Sequence, residues 1–294
     1  MGTAQEFILE MAEIVSMPEV YFKIRELMED PKTKIGDYER IVQADPMLAI
    51  RVMRIANSHY FGFNRKTNDL YGAISLIGDI QLHDLLLGSL CMRAFYNIPE
   101  QVFNYTDFWR QGIQCGIVAR SIARLCRLPA SNRYFTLGLL LEIGHAAMFV
   151  KNPELAYRAL LESQEQNCDL SKIERKYFGF DYCQLGVELV KTWHLPVVYP
   201  QIIGHHLNPY QCGQEFRVET EIVNLAFHYC DSQGLSGLPL SQIQAGRQPH
   251  VVIPNNIEKL IAKEISDNTD EVFTMLAPPS NAIGVATGGM EIWP

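Results

Sequence analysis

Apolar residues recur along this chain at intervals of three and four, the spacing that gathers them on one face of an α-helix. Val20, Ile24, Leu27 and Met28 form one such stripe, which stops near Asp30-Pro31. Asp45-Pro46 opens another, which runs through Met53 and Ala56 and ends by Asn57-Ser58. Ser16-Met17-Pro18-Glu19 reads as a capping box, with the Ser16 oxygen placed to take a first-turn amide. The same periodicity predicts helices over 3–15, 37–43, 70–77, 80–96, 107–127, 133–150, 153–167, 170–176, 182–193, 198–207, 217–233, 255–264 and 267–276. β-Branched runs are scarce. Val251-Val252-Ile253, closed by Pro254, stands alone, and one strand makes no sheet. The pattern is all-α.

No repeat shows at a fixed period. Asn97-Ile98-Pro99 is the best internal boundary, dividing a helical lobe over 1–98 from a second over 99–277. Gly234 to Pro254, rich in Gly, Pro, Ser and Gln, reads as a long connection, and 278–294 as a tail with little amphipathic pattern.

Composition narrows the function more than the fold. With 48% apolar and 20% charged residues, 294 residues can bury a large core. The net charge of −8 disfavours a polyanion binder, and Lys23, Arg25, Arg51, Arg54, Arg120 and Arg124 are scattered instead of clustered. Seven cysteines, none in a CxxC pair, point to free thiols in a reducing compartment. Cys115 and Cys126 lie eleven apart on one helix, where they are expected to pack as small apolar groups. No basic segment followed by an apolar run opens the chain, and apolar stretches such as Leu137 to Ile143 break off before spanning length, so the expected location is cytoplasmic. Nucleotide-cradling glycine loops, a GxSxG elbow and HExxH are all lacking.

Several motifs combine in order. Asp45-Pro46-x-Leu48-x-x-Arg51-x-x-Arg54-x-Ala56-Asn57-Ser58-x-Tyr60-Phe61 follows Met17-Pro18-Glu19-Val20 and precedes Ala73-Ile74-x-x-Ile77-Gly78. Phe108-Trp109-Arg110, Leu140-x-Glu142-Ile143-Gly144, Phe178-Gly179-x-Asp181, Gly186, Trp193-x-Leu195-Pro196 and His205-His206 come later. Together, over roughly residues 7–232, they resemble the HDOD family, the HD-related output domains of bacterial signalling proteins. The resemblance implies a two-lobed all-helical bundle whose second lobe is similar to the HD-type phosphohydrolases.

It also implies a lost metal site. Leu139-Leu140-Leu141-Glu142-Ile143-Gly144-His145 resembles the LLHDIGK type of segment, but Leu141 stands for the histidine and Glu142 for the aspartate. Gln111, Tyr182 and Phe227 stand where two further histidines and a late aspartate are expected. Leucine has no lone pair, so the binuclear centre that activates water in such enzymes has no first shell here. His205, His206 and Glu142 keep ligand chemistry, and whether they hold a metal is open. The bland reading has one of the two histidines facing the core and the other exposed, since adjacent helical residues project about 100° apart. His145, one turn beyond Glu142, is expected to be a satisfied core residue, and Trp109 and Trp193 core anchors. Arg51, Arg54, Asn57, Ser58, Tyr60 and Phe61 are candidates for contact with a partner or ligand, against the plainer alternatives of an ion pair and local hydrogen bonding.

The expected function is a noncatalytic regulatory module binding a signalling partner protein or a small signal ligand. The alternative is a metal-dependent phosphohydrolase acting on a nucleotide or cyclic dinucleotide. No cofactor, no direct nucleic-acid contact and no membrane contact are expected; oligomeric state is left open.

Overall fold

A computed structural model describes residues 2–11, 15–63, 65–96, 104–235 and 257–278. Every regular element among them is helical. The expected boundary at Asn97-Ile98-Pro99, most of the Gly234–Pro254 connection with Val251-Val252-Ile253, and the tail beyond Pro278 lie outside the described residues.

The first group comprises α2 (Glu19–Glu29), α3 (Ile35–Gln43), α4 (Pro46–Asn57), α5 (Leu70–Ile77) and α6 (Asp79–Ala94). Asp45 caps α4 as its sequence suggests, accepting from the Met47 and Leu48 amides at 3.0 and 3.2 Å, with Pro46 in the first turn. Ser16 does not cap α2. The cap position is Pro18, which offers no side-chain acceptor, and the helix starts at Glu19. Between α5 and α6 the chain turns by 103° at Gly78, whose φ of 78° is open to glycine without strain.

The second group is built on the long helix α7 (Tyr105–Leu125), against which α8 (Ser131–Leu139) and α14 (Arg217–Leu235) pack. The expected helix over 133–150 is two: α8 ends at Leu139 and α9 (Ile143–Lys151) begins after a turn at Leu140-Leu141-Glu142. Tertiary packing causes the break. A Cβ on Gly138 would lie 2.7 Å from the Gly116 Cα, and one on Gly144 would lie 1.9 Å from the Tyr182 carbonyl oxygen. Each short helix is therefore packed tightly against a different neighbour. The stretch Ser131–Lys151 is apolar and long enough to cross a membrane by composition, but most of it is core. Helices α10 (Pro153–Gln166), α11 (Leu170–Phe178), α12 (Tyr182–Thr192) and α13 (Val198–His205) complete this group.

Two helices remain, of which one packs on the second group and the other joins the two groups. The short α1 (Ala4–Leu9), expected to run over 3–15, packs on α12. The final helix α15 (Ile257–Leu276) rests on α4, α6 and α7. Its expected interruption near 265–266 does not occur, because Asn268 and Thr269 donate to the Glu264 and Ile265 carbonyls and the polar stretch is absorbed into the helix. Trp109 and Trp193 are buried anchors in one continuous apolar cluster that includes residues of both groups.

Candidate functional site

Two regions carry the residues singled out by sequence. The first is the turn between α8 and α9. Leu141 is buried there, its side chain part of the core. Glu142 follows as the cap residue of α9, and His145 completes that helix's first turn. The start of α12 presses on the start of α9, so the Tyr182 ring stacks on the His145 ring at 3.8 Å between centroids. Glu174, from α11, joins them through two oxygens: Oε2 accepts the Tyr182 backbone amide at 2.9 Å, and Oε1 lies 2.9 Å from His145 Nε2. His145 Nδ1 lies 3.4 Å from Glu142 Oε1. Burial alone would favour the neutral His145 ring, yet the Glu174 carboxylate, with Glu142 adding, raises its pKa to about 10.

His206 closes the other side and has the opposite character. Its Nδ1–H donates to the Ile203 carbonyl at 2.8 Å, which leaves Nε2 to accept from the Tyr182 hydroxyl at 2.9 Å. Burial outweighs the Ile203 carbonyl and the field of Glu142 and lowers the His206 pKa to about 4. Phe227, on α14, sets its ring edge-on to the same imidazole at 5.2 Å, and Asn224 donates to the His206 carbonyl. His205 turns away and sits against the Gln201 carbonyl, half-buried. Burial also holds the Tyr182 phenol well above its ordinary pKa, so it remains a hydrogen-bond donor.

These residues do not fit a metal centre. Leu141 offers no donor atom, the Tyr182 proton and the His206 lone pair are used on each other, and Glu142 faces a histidine that is itself charged. Among the described residues no three His, Cys, Asp or Glu side chains are arranged to share an ion. Gln111 lies half-buried on α7. The sequence reading overlooked Glu174, which sits in the polar run Lys172-Ile173-Glu174-Arg175-Lys176 and carries no local sign of burial.

The second region is α4 and the loop after it. Arg51 points inward and donates to the Ala277 carbonyl at the end of α15. Ser58 donates to Glu271 of α15 and accepts from the Tyr60 amide. Tyr60 and Phe61 are buried under Arg120, whose guanidinium lies 4.4 Å from the Tyr60 ring centroid. Asn57 ties the helix to the Thr67 backbone in both directions. Most of the motif is therefore internal carpentry; Arg54 alone of the six is exposed. Beside it on the outer face of α4 lie Met47 and Ile50, each more than two-fifths exposed. A shallow groove of about 400 Å³ runs there, lined by Ala49, Ile50, Met53, Arg54 and Asn57.

The HDOD domain family model matches residues 14–209, from the approach to α2 through the turn after α13, and so takes in both regions. The chain belongs to the HDOD family. The match stops short of the roughly 7–232 expected from motifs and leaves α14 and α15 outside it. An uncharacterized protein of Treponema pallidum (strain Nichols) is 21% identical to this HDOD chain over 226 residues, which are 75% of the chain and 43% of that relative. The chain thus spans less than half the length of the curated relative it matches. Among solved structures, a putative phosphohydrolase of Shewanella amazonensis SB2B superposes with a TM-score of 0.72 at 18% identity, covering 92% of this chain and 98% of the other. A putative signal transduction protein of Marinobacter aquaeolei VT8 gives 0.67 at 20% identity, covering 92% of this chain and 60% of that one. At such identities the likeness establishes the fold, which is HD-like; HDOD membership fits a role in signalling.

Proposed function

We propose that this HDOD chain is a noncatalytic signalling module that binds a partner protein through the outer face of α4. The observation that carries the reading is a division of labour within the family motif. Arg51, Asn57, Ser58, Tyr60 and Phe61 hold the scaffold, while Met47, Ile50 and Arg54 stay at the surface beside an open groove. An apolar stripe flanked by one cation suits an amphipathic helix bearing a carboxylate, which buries its apolar side chains and pairs with Arg54 at the rim. The degenerate pocket at Leu141-Glu142 supports the same reading, because its polar groups are paired internally and none is left to activate water.

The test uses a tagged full-length chain and two variants, Ile50→Asp and Arg54→Glu, in quantitative pull-downs from the native cell. A protein retained by the wild type and lost with both variants is the expected result, followed by direct binding of that purified protein. The rival reading, hydrolysis of a nucleotide or cyclic dinucleotide, is addressed in parallel with Mn²⁺ and Mg²⁺ present. Turnover abolished by Glu142→Gln would replace the proposal with the phosphohydrolase reading.

A further inference from the structure

The polar groups of the α8–α9 pocket compose a cation site. Glu142 and Glu174 approach one point from the α8–α9 turn and from α11, and Glu174 is almost fully buried, its side chain only 3% exposed. A buried carboxylate that stays ionised needs a positive charge beside it. Among the described residues the His145 ring lies between Glu174 and Glu142, with Nε2 at 2.9 Å from one carboxylate and Nδ1 at 3.4 Å from the other. A neutral imidazole has one N–H and one lone pair, and the lone pair would face a carboxylate oxygen. A carboxylate oxygen within ion-pair distance of each nitrogen favours the ring as an imidazolium.

We propose that His145 is the resident cation of this pocket, bridging Glu142 and Glu174 in the charge-balancing place of a divalent ion and thereby closing the pocket to metal. The remaining neighbours are consistent with this. Tyr182 covers one face of the ring and donates its hydroxyl proton away, to His206. Cys183, also in the vicinity, has its thiol pushed up by burial and stays neutral, and Asp181 is already paired with Arg175. His206, the other titratable ring in the pocket, is neutral. Of the two carboxylates Glu142 is the more exposed, at 17%. One consequence is that α9, α11 and α12 are fastened by a charge carried in the chain itself, independent of divalent-ion supply.

The experiment has two arms on the full chain. Long-range ¹H–¹⁵N NMR of the imidazole nitrogens at pH 7.5 reads protonation directly. The expected pattern is two protonated nitrogens on His145 and a single protonated nitrogen, Nδ1, on His206. A bare nitrogen on His145 at that pH overturns the proposal. The second arm titrates Mn²⁺ alone, followed by electron paramagnetic resonance and thermal melting. Wild type is expected to bind no ion in this pocket and to melt identically with and without chelator. His145→Gln vacates the cation and is expected to bind Mn²⁺ about tenfold or more tighter than wild type, since hard oxygen donors suit that ion. Adding Glu174→Gln to His145→Gln should remove the gain. Wild-type Mn²⁺ binding that is lost with Glu142→Gln would overturn the assignment, as would a folded His145→Gln protein indifferent to Mn²⁺. If His145→Gln does not fold, the NMR pattern of the wild type decides alone.

Discussion

The turn between α8 and α9 and the outer face of α4 both belong to segments that mark the family, and they are built in opposite ways. In the pocket every polar group is turned inward: Glu174 serves both an amide and an imidazole, and Tyr182 serves His206. On α4 the inward side chains are equally occupied, but the outward ones, Met47, Ile50 and Arg54, are exposed among the described residues. A site for chemistry needs unspent donors and acceptors facing a cavity. A site for a partner needs apolar area that the fold itself leaves uncovered. On the proposed reading, the first region lacks what catalysis requires and the second keeps what docking requires.

The largest effect that would sharpen this contrast comes from Glu174→Ala. It strands the buried His145 charge and leaves the Tyr182 amide without its acceptor, so it should cost about 3–5 kcal/mol in urea unfolding. A loss below about 1 kcal/mol would mean that His145 sheds its proton cheaply and that the pocket is not charge-locked.

Acid titration separates the two buried histidines and is the next largest effect. The folded pKa of His206 is depressed to about 4, below the ordinary 6.5, so its contribution is present above pH 6.5 and is lost as pH falls toward 4. That contribution is on the order of 3 kcal/mol. His145 runs the other way: its folded pKa is raised to about 10, so its contribution is intact below pH 6.5 and is lost as pH climbs toward 10. Stability measured from pH 4 to 10 should therefore fall on both sides. His206→Gln should flatten the acid limb and leave the alkaline one. A variant that flattens neither limb would show that these rings do not set the pH profile.

How far the sequence reveals these features depends on whether their cause is local. Helix α4 was legible because Asp45, Pro46 and the apolar spacing all act within a few residues of one another. The break at Leu140-Leu141-Glu142 was not, since those three residues include no turn former and the close contacts on either side lie on other helices, at Gly116 and Tyr182. That Leu141 offers no donor atom could be read directly, because a leucine has none wherever it sits. The meeting of Glu174 with His145 could not. Glu174 resembles any solvated acid on a charged helix until α9 and α12 fold over it, and His145 resembles a core histidine among leucines until Glu174 arrives.

Leu141→His gives a smaller effect. It restores a ligand type but puts an imidazole where a leucine is fully packed, and should cost about 1–3 kcal/mol without metal. The quadruple variant Gln111→His, Leu141→His, Glu142→Asp, Phe227→Asp asks whether ligand identity is sufficient. Weak Mn²⁺ stabilisation in a thermal melt and no hydrolysis are expected, because His145 still competes for the carboxylate at position 142 and Tyr182 still holds His206. An identical melt with and without Mn²⁺ would show that the four positions do not share one pocket.

The smallest effect on stability is expected on α4, and its smallness is the point. Ile50 is 47% exposed, so Ile50→Asp removes little buried area and adds a charge that water solvates. Surface changes of this kind fall within about 0.5 kcal/mol of wild type. Asp at position 50 lies one turn before Arg54, where the two can pair, which leaves the helix intact and cancels the one cation at the rim of the groove. An interface that buries Ile50 would then meet a charged carboxylate in an apolar contact, and a central substitution of that type costs binding far more than folding. The decisive measurement pairs urea unfolding with partner affinity for the same protein. Unchanged unfolding with lost binding assigns this face to recognition. A substantial loss of stability would instead make Ile50 part of the scaffold, and the contrast between a spent pocket and an open helix face would collapse.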